Sequence, residues 1–133
     1  MEKVSKKSIR KIINHINIKY CKDDFLRSVF LVIIKKINSN SKNPFDLHGV
    51  CSSLCVSERT LYRRLRDRKM TYLGVKDEIR KPYALFLLSF EGCTVDQVSK
   101  FLFFRSSSAF IESFKRWYGY TPKKWAHVKK EIS

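Results

Sequence analysis

The chain has 133 residues, 44% of them apolar, which is enough to build the core of one domain with a short extension. Twenty-eight Lys and Arg against twelve Asp and Glu leave a formal charge of +16, which favours nucleic acid as the partner, with an anionic membrane surface second. No apolar stretch approaches the ~20 residues that span a bilayer, and the N-terminal segment lacks the features of a secretory signal. We therefore expect a cytoplasmic, nucleoid-associated protein with reduced cysteines.

Two helices are predicted in the first third of the chain. Residues 1–20 place isoleucines at helical spacing between basic residues, so we interpret 1–22 as a basic amphipathic helix or linker tail. This segment is expected to contact a second copy or a sensor domain, and the alternative is an anchor at a membrane surface. The second helix is predicted to begin at the Asp23–Asp24 cap, and residues 38–44 are predicted to form a loop.

The rest of the chain predicts a series of short helices with no alternating, strand-like run. Expected N-caps are Ser57, Thr94, Ser106 and Thr121, and Gly92 and Gly119 mark two helix ends. The fold class is therefore all-α. The predicted helices cover residues 46–54, 57–68, 72–91, 95–102, 107–118 and 122–131.

One pattern occurs twice in the chain at an offset of 49 residues. It aligns Ser57, Leu61 and Leu65 with Ser106, Phe110 and Phe114. In each copy a capping serine is followed four and eight residues later by apolar residues that face the core, so the positions between them face outward. The outward residues are Arg59, Tyr62, Arg63 and Arg66 in the first copy and Ser108, Ile111, Glu112 and Lys115 in the second.

A short helix and a tight turn precede each capping serine, which predicts two helix-turn-helix units at about 46–69 and 94–118. In such a unit the second helix enters the major groove by its N-terminal half. Cys51 and Ser99 are the small residues expected where the paired helices cross. A linker helix over about 72–91 would be about 30 Å long, close to the ~34 Å of one DNA turn, so both units are expected to reach successive major-groove segments.

Residues 24–130 resemble the DNA-binding domain of the AraC/XylS family. The strongest signal is the segment 114–125, which runs Phe-Lys-Arg-Trp-Tyr-Gly-Tyr-Thr-Pro-Lys-Lys-Trp. The resemblance implies a seven-helix, two-unit DNA-binding domain over 23–131 that activates, or sometimes represses, promoters by contacting RNA polymerase. A separate sensing domain, which many relatives carry, would not fit in 133 residues. The other matching residues are Ser57, Leu61, Arg63, Leu65, Arg80, Ala84, Leu87, Leu88, Val98, Phe104, Ser108 and Phe110.

Four departures from the family pattern bear on the expected geometry. The glycine usual after the first recognition helix is absent from the loop 68–70, and Phe103 stands where the second turn usually has glycine. The backbone at Phe103 is therefore expected to avoid the left-handed region or to be strained there. Pro82 predicts a kink in the linker helix. Glu112 replaces a frequent base-contacting arginine, so the first unit is expected to dominate specificity.

The candidate DNA contacts divide by role. In the first unit the residues expected to contact base edges are Arg59, Thr60, Tyr62 and Arg63, because a guanidinium donates two parallel bonds to guanine. In the second unit they are Ser107, Ser108, Ile111 and Glu112. Phosphate contacts are expected from Ser57, Arg64, Arg66, Ser106, Lys115, Arg116, Lys123 and Lys124, for which plain surface charge or simple capping is the alternative.

No catalytic grouping, metal-site spacing, cofactor motif or small-molecule site is predicted. Cys51, Cys55 and His48 lack the ligand pairings of structural zinc sites. The function expected is therefore sequence-specific binding of double-stranded DNA by a bacterial transcription regulator, which is not an enzyme. The alternative is a protein-interaction module on a helix-turn-helix scaffold that modulates another regulator or polymerase.

Overall fold

The computed structural model describes residues 6–39, 41–89 and 92–132, with side chains to residue 127, and these ranges form eight α-helices and no β-strand. The all-α prediction is confirmed, and each predicted helix is present among the described residues; the predicted helical positions 1–5, 90 and 91 lie outside them. Pro82 lies inside one continuous helix and does not end it. The helices are α1 Lys6–Lys19, α2 Asp24–Asn38, α3 Leu47–Leu54, α4 Glu58–Asp67, α5 Tyr72–Ser89, α6 Val95–Phe101, α7 Ser107–Tyr118 and α8 Pro122–Ile132.

The described residues divide into two compact units, with the boundary inside α5 between Ile79 and Arg80. The first unit holds α1 to α4 and the beginning of α5, and the second holds the rest of α5 and α6 to α8. Each unit contains one pair of short helices joined by a tight turn, α3–α4 in the first and α6–α7 in the second. Two helix-turn-helix units are therefore present, as the repeated pattern predicted.

Helix α1 packs on α2 in the core of the first unit. Ile12 and Ile16 of α1 are 1% and 0% exposed, and Tyr20, just past its end, stacks on Phe30 with ring centroids 4.7 Å apart. Lys19 Nζ and the Tyr20 hydroxyl both donate to the Glu78 carboxylate, at 2.6 and 3.0 Å. The apolar face that a membrane anchor would need is thus buried within the unit, which argues against that alternative.

The second unit is built around aromatic side chains of α7. Phe110 and Phe114 are fully buried, and Phe114 packs edge-on against both Phe110 and Trp125, with centroids 5.9 and 6.1 Å apart. Arg80 is also buried, and its guanidinium donates to the carbonyls of Leu102 and Phe103, each at 3.0 Å. This arginine therefore supplies hydrogen bonds to backbone carbonyls at the turn between α6 and α7.

Side-chain caps define where the helices begin. Ser57, Thr94 and Ser106 each accept a hydrogen bond from the backbone amide three residues later, and Thr94 forms a full capping box with Gln97. These three predicted caps are confirmed, and each contributes about 1 kcal/mol to stability. Gly119 ends α7 in the left-handed region, as predicted. Asp23 and Asp46 cap α2 and α3 in the same way.

Three helices end in the same backbone motif without glycine. Cys55 after α3, Lys69 after α4 and Phe103 after α6 have φ of 57°, 57° and 59°. In each case the left-handed residue and the residue after it donate to carbonyls of the last helical turn, which is the Schellman pattern. Phe103 therefore adopts the left-handed conformation instead of avoiding it. The two helix-turn-helix turns are built from the ends of α3 and α6.

Glycine at position 69 is expected to stabilise the protein. Lys69 is exposed, so its side chain contributes little packing, while its β-carbon opposes the left-handed backbone. Lys69→Gly should raise the free energy of unfolding by about 0.5–1 kcal/mol in urea denaturation. Lys69→Ala is the control, because it removes the same charge and keeps the β-carbon. Equal stability of the two variants would contradict the argument from backbone strain.

Candidate nucleic-acid interface

Helix α4 presents an arginine-rich face to solvent. Leu61 and Leu65 are fully buried, while Tyr62 and Arg63 between them are exposed. Five arginines occur among the twelve residues from Ser57 to Arg68. Thr60 is half-buried and its hydroxyl accepts from Ser57 Oγ at 3.0 Å, beside the cap. The exposed side chains on this helix include Arg59, Tyr62, Arg63 and Arg66.

The C-terminal end of α4 is braced on α2 through Phe25. The guanidinium carbons of Arg64 and Arg68 lie 5.0 and 4.9 Å from the centroid of the Phe25 ring. Arg68 also donates from Nε to the Asp23 carboxylate at 2.6 Å and from Nη1 to the Arg64 carbonyl at 2.8 Å. Arg64, expected at a phosphate, is thus half-buried over an aromatic ring. Arg68, which was not predicted as a site residue, and Asp23, which was predicted only as the cap of α2, hold this end of α4.

The Asp23–Arg68 ion pair predicts a specific dependence of stability on pH. The hydrogen bond from Arg68 is the largest cause that lowers the pKa of Asp23 below its ordinary value of 3.8. Because the folded-state pKa is the lower one, the stabilisation is present above the unfolded pKa and is lost as the pH falls through the folded pKa. Asp23→Asn keeps a capping oxygen for α2 and removes the charge.

We expect Asp23→Asn to cost about 1 kcal/mol at neutral pH, as for a partly exposed ion pair, and progressively less as the pH falls below the ordinary value of 3.8. Urea denaturation of both proteins across that range measures the difference. Asp24→Asn is a suitable control, since Asp24 is far more exposed than Asp23 in its own ion pair with Arg27. If the free energies of unfolding of the unmodified protein and Asp23→Asn differed by the same amount down to low pH, the pH dependence would not come from Asp23.

Helix α7 presents a different chemical face. The Ser106 hydroxyl caps it by accepting from the Ala109 amide at 3.1 Å, and Phe110 and Phe114 point into the core. Ile111 is half-buried. The outward face therefore combines a carboxylate with hydroxyl and basic groups, where α4 has mostly guanidinium groups. The exposed side chains are Ser108, Glu112, Lys115 and Arg116.

Ser107 connects the two helices of the second unit. Its hydroxyl donates to the Asp96 carboxylate at 3.1 Å and lies 3.3 Å from Ser99 Oγ, and Ser99 is buried. In the first unit Cys51 is likewise buried, as expected for a small residue at the helix crossing. The Ser107 side chain, expected to contact DNA, is thus occupied in holding α7 against α6.

Further basic groups lie near the N-terminal ends of α7 and α8. Lys123 and Lys124 are exposed in the first turn of α8, and Lys124 Nζ lies 5.9 Å from the centroid of the Tyr120 ring. Arg105 is exposed directly before the Ser106 cap. The sequence analysis did not select Arg105, although a basic residue beside the cap of a recognition helix was the available signal.

The described part of the chain shows no grouping of three or more His, Cys, Asp or Glu side chains that could hold a metal ion. Its cysteines are free thiols, and burial raises the pKa of Cys51. None of the described helices has the length and apolar character needed to cross a membrane.

Helices α4 and α7 are both capped, and each follows a short helix and a tight turn. This arrangement defines a helix-turn-helix protein, and comparison with known proteins agrees. The model of the family described as "Helix-turn-helix domain" matches residues 50–127. The chain belongs to the AraC/XylS family of helix-turn-helix transcription regulators, whose members bind DNA and are not enzymes. The sequence-based family assignment is thereby confirmed.

Three relatives illustrate the similarity. The porin thermoregulatory protein EnvY of Escherichia coli K12 is 32% identical over 90 residues, which cover 68% of this chain and 36% of that protein. The transcriptional activator PerA of E. coli O127:H6 is 29% identical over 102 residues, covering 77% and 37%. The virulence regulon transcriptional activator VirF of Shigella flexneri is 31% identical over 93 residues, covering 70% and 36%.

The chain thus spans little more than a third of the length of these curated relatives. No solved structure gave a significant match.

Proposed function

We propose that this protein binds double-stranded DNA at specific sequences, primarily through α4, and regulates transcription from nearby promoters. The observation that carries the proposal is the exposed arginine face of α4 above the buried Leu61 and Leu65. A capped helix with this arrangement, preceded by a bracing helix and a tight turn, is the form that enters the major groove.

The side chains of α4 divide into base-contacting and backbone-contacting groups. Arg59 and Arg63 are exposed one helical turn apart, and each guanidinium matches the two acceptors of guanine. Thr60 and Tyr62 add contacts to thymine methyl groups or to the backbone. Phosphates are contacted by the remaining predicted residues, which carry no sequence information of their own. These are Ser57, Arg64, Arg66, Ser106, Lys115, Arg116, Lys123 and Lys124.

The second unit adds contacts through α7, from Ser107, Ser108, Ile111 and Glu112. Ser107 is placed to act indirectly, since its hydroxyl already bonds to Asp96. Ser108 and Glu112 are exposed and are the residues available to base edges. This division gives the first unit the larger share of specificity.

The regulatory outcome we propose is activation by recruitment of RNA polymerase. Two of the relatives are themselves named transcriptional activators. In this proposal residues 23–131 form the DNA-binding domain, and 1–22 contact a second copy or a sensor domain. The basic side of α1 remains available for such a contact, since Lys6, Lys7 and Arg10 are exposed while Ile12 and Ile16 are buried.

Selection of bound duplexes from a random DNA pool at rising salt tests the proposal. The full chain should enrich a motif that the Arg59→Ala, Arg63→Ala double variant loses. Lys35→Ala with Lys42→Ala is the matched control, because it removes the same charge from exposed positions outside α4 and should keep the motif at reduced affinity. A pool that stays random for the unmodified chain, with binding that falls with salt equally for all three proteins, would overturn sequence-specific regulation.

A second candidate function is binding of another regulator or of polymerase by the helix-turn-helix scaffold. The exposed Glu112 carboxylate on α7 favours it, since a carboxylate is repelled by phosphate. This candidate predicts that reversing the charge of Arg59 and Arg63 leaves promoter activity in cells unchanged. Loss of activity on that reversal would support DNA binding through α4.

A further inference from the structure

Glu112 and Arg63 occupy the same position in the two recognition helices. Each lies six residues after a serine whose hydroxyl accepts from the amide three residues later, Ser106 in α7 and Ser57 in α4. Both side chains are exposed. The two helices therefore present opposite charges at equivalent positions of their outward faces.

The Glu112 carboxylate has no partner among the described residues of its unit. Among the described residues it forms no ion pair or hydrogen bond, although Lys115 and Arg116 follow three and four positions later on the same helix. Asp96, in contrast, is held by Lys100 at 3.1 Å and accepts from Ser107. A carboxylate without an internal partner on the outward face of a recognition helix is available to a donor on a ligand.

The major groove offers such a donor in a base-dependent way. Cytosine presents its N4 amino group there, whereas guanine presents two acceptors and thymine presents an acceptor and a methyl group. Adenine presents an amino group beside the N7 acceptor, which repels one carboxylate oxygen. Of the four bases, cytosine is therefore the best partner for a carboxylate.

We propose that Glu112 is a specificity-determining residue that selects cytosine at one position of the DNA site. This inference rests on the proposed function and deepens it. The Glu112 carboxylate accepts a hydrogen bond from cytosine N4, and its charge is repelled by the surrounding phosphates. Glu112 thus contributes discrimination between bases at the expense of affinity for DNA in general.

The neutral, isosteric variant Glu112→Gln separates these two effects. The binding of the full chain and the variant is measured on duplexes that carry each base pair in turn at every position of the selected site. We expect the full chain to prefer cytosine by about tenfold at one position, and the variant to lose that preference. The variant should also bind unrelated DNA more tightly at low salt, because one repulsive charge is gone. Glutamine pairs well with adenine, so a shift of preference to adenine at that position would equally support the proposal.

Two further binding measurements test whether Glu112 itself contacts the cytosine. N4-methylcytosine at the assigned position keeps the base pair and places a methyl group where the groove-facing N–H stood, so it should lower the affinity of the full chain and not that of Glu112→Gln. The Arg59→Ala, Arg63→Ala variant should lose preference at the positions that α4 contacts and retain the cytosine preference at the assigned position. This result separates Glu112 from an arginine of α4 that contacts the guanine of the same pair.

The outcomes distinguish this inference from the function on which it rests. If Glu112→Gln binds every duplex more tightly by the same factor, or binds all of them unchanged, the selection of cytosine is overturned while the role of α4 stands. If the full chain shows no preference at any position, both proposals are overturned.

Discussion

Replacing Arg80 by methionine is expected to lower the free energy of unfolding by about 3 kcal/mol. Arg80 is 7% exposed, donates to the carbonyls of Leu102 and Phe103, and lies with its guanidinium carbon 4.2 Å from the centroid of the Phe104 ring. Methionine keeps most of the buried stem and removes the donors. The carbonyls at the left-handed turn then lose partners in a poorly hydrated environment, which costs more than the bonds themselves contribute in water.

Thermal and urea denaturation measure this effect, and two variants control it. Arg80→Lys keeps the charge but cannot supply the planar guanidinium that donates to both carbonyls. It should therefore recover only part of the lost free energy of unfolding. Arg105→Met makes the same replacement at an exposed position and should change stability by less than about 0.5 kcal/mol. Equal effects at 80 and 105 would show that the carbonyl contacts do not support the turn.

Replacing Phe114 by alanine is expected to cost about 3–5 kcal/mol. Phe114 is fully buried and packs against Phe110, Tyr118 and Trp125, with ring centroids 5.9, 4.9 and 6.1 Å away. It joins α7 to α8. Alanine would leave a cavity that rigid aromatic neighbours fill poorly, so the transfer and cavity costs both apply.

Phe114→Leu should cost less than half as much as Phe114→Ala, because leucine restores most of the volume. Lys115→Ala, at the next and exposed position, should be close to neutral. If the alanine variant at 114 were as stable as the leucine variant, the aromatic cluster would not be the core of the second unit.

Local signals account for most of what the sequence predicted correctly. The hydroxyls of Ser57, Thr94 and Ser106 accept hydrogen bonds from backbone amides three residues later, so their capping role does not depend on distant residues. Gly119 is a local signal of the same kind. The spacing of Leu61 and Leu65 then determines which side chains of α4 are left outside, whatever covers the core face.

The left-handed helix ends were harder to predict, because their usual signal is glycine. Cys55, Lys69 and Phe103 adopt this conformation because the Schellman hydrogen bonds, and at Phe103 also Arg80, favour it. The Schellman bonds span three and five residues but join backbone groups, which leave no side-chain signal, and Arg80 lies 23 residues before Phe103. A scan for glycine alone therefore does not predict the left-handed backbone at these three helix ends.

Long-range packing explains the other differences between the sequence-based predictions and the structure. The isoleucines of α1 showed that this helix has an apolar face, but periodicity does not state what covers that face, and α2 does so here. The pattern of α4 likewise placed Arg64 among the surface charges. Its position over Phe25 depends on a residue 39 positions earlier in the chain.

The difference in charge between α4 and α7 also predicts how the protein associates with a DNA duplex. Coulomb attraction acts on a diffusing protein before any contact forms, and it is strongest where cations are dense, with four arginines in α4 against one lysine and one arginine in α7. We expect the arginine face of α4 to lead the approach to the duplex and α7, with its carboxylate, to engage afterwards. Added salt should therefore slow association, because it screens this attraction, and the order of engagement follows from the unequal charge of the two helices.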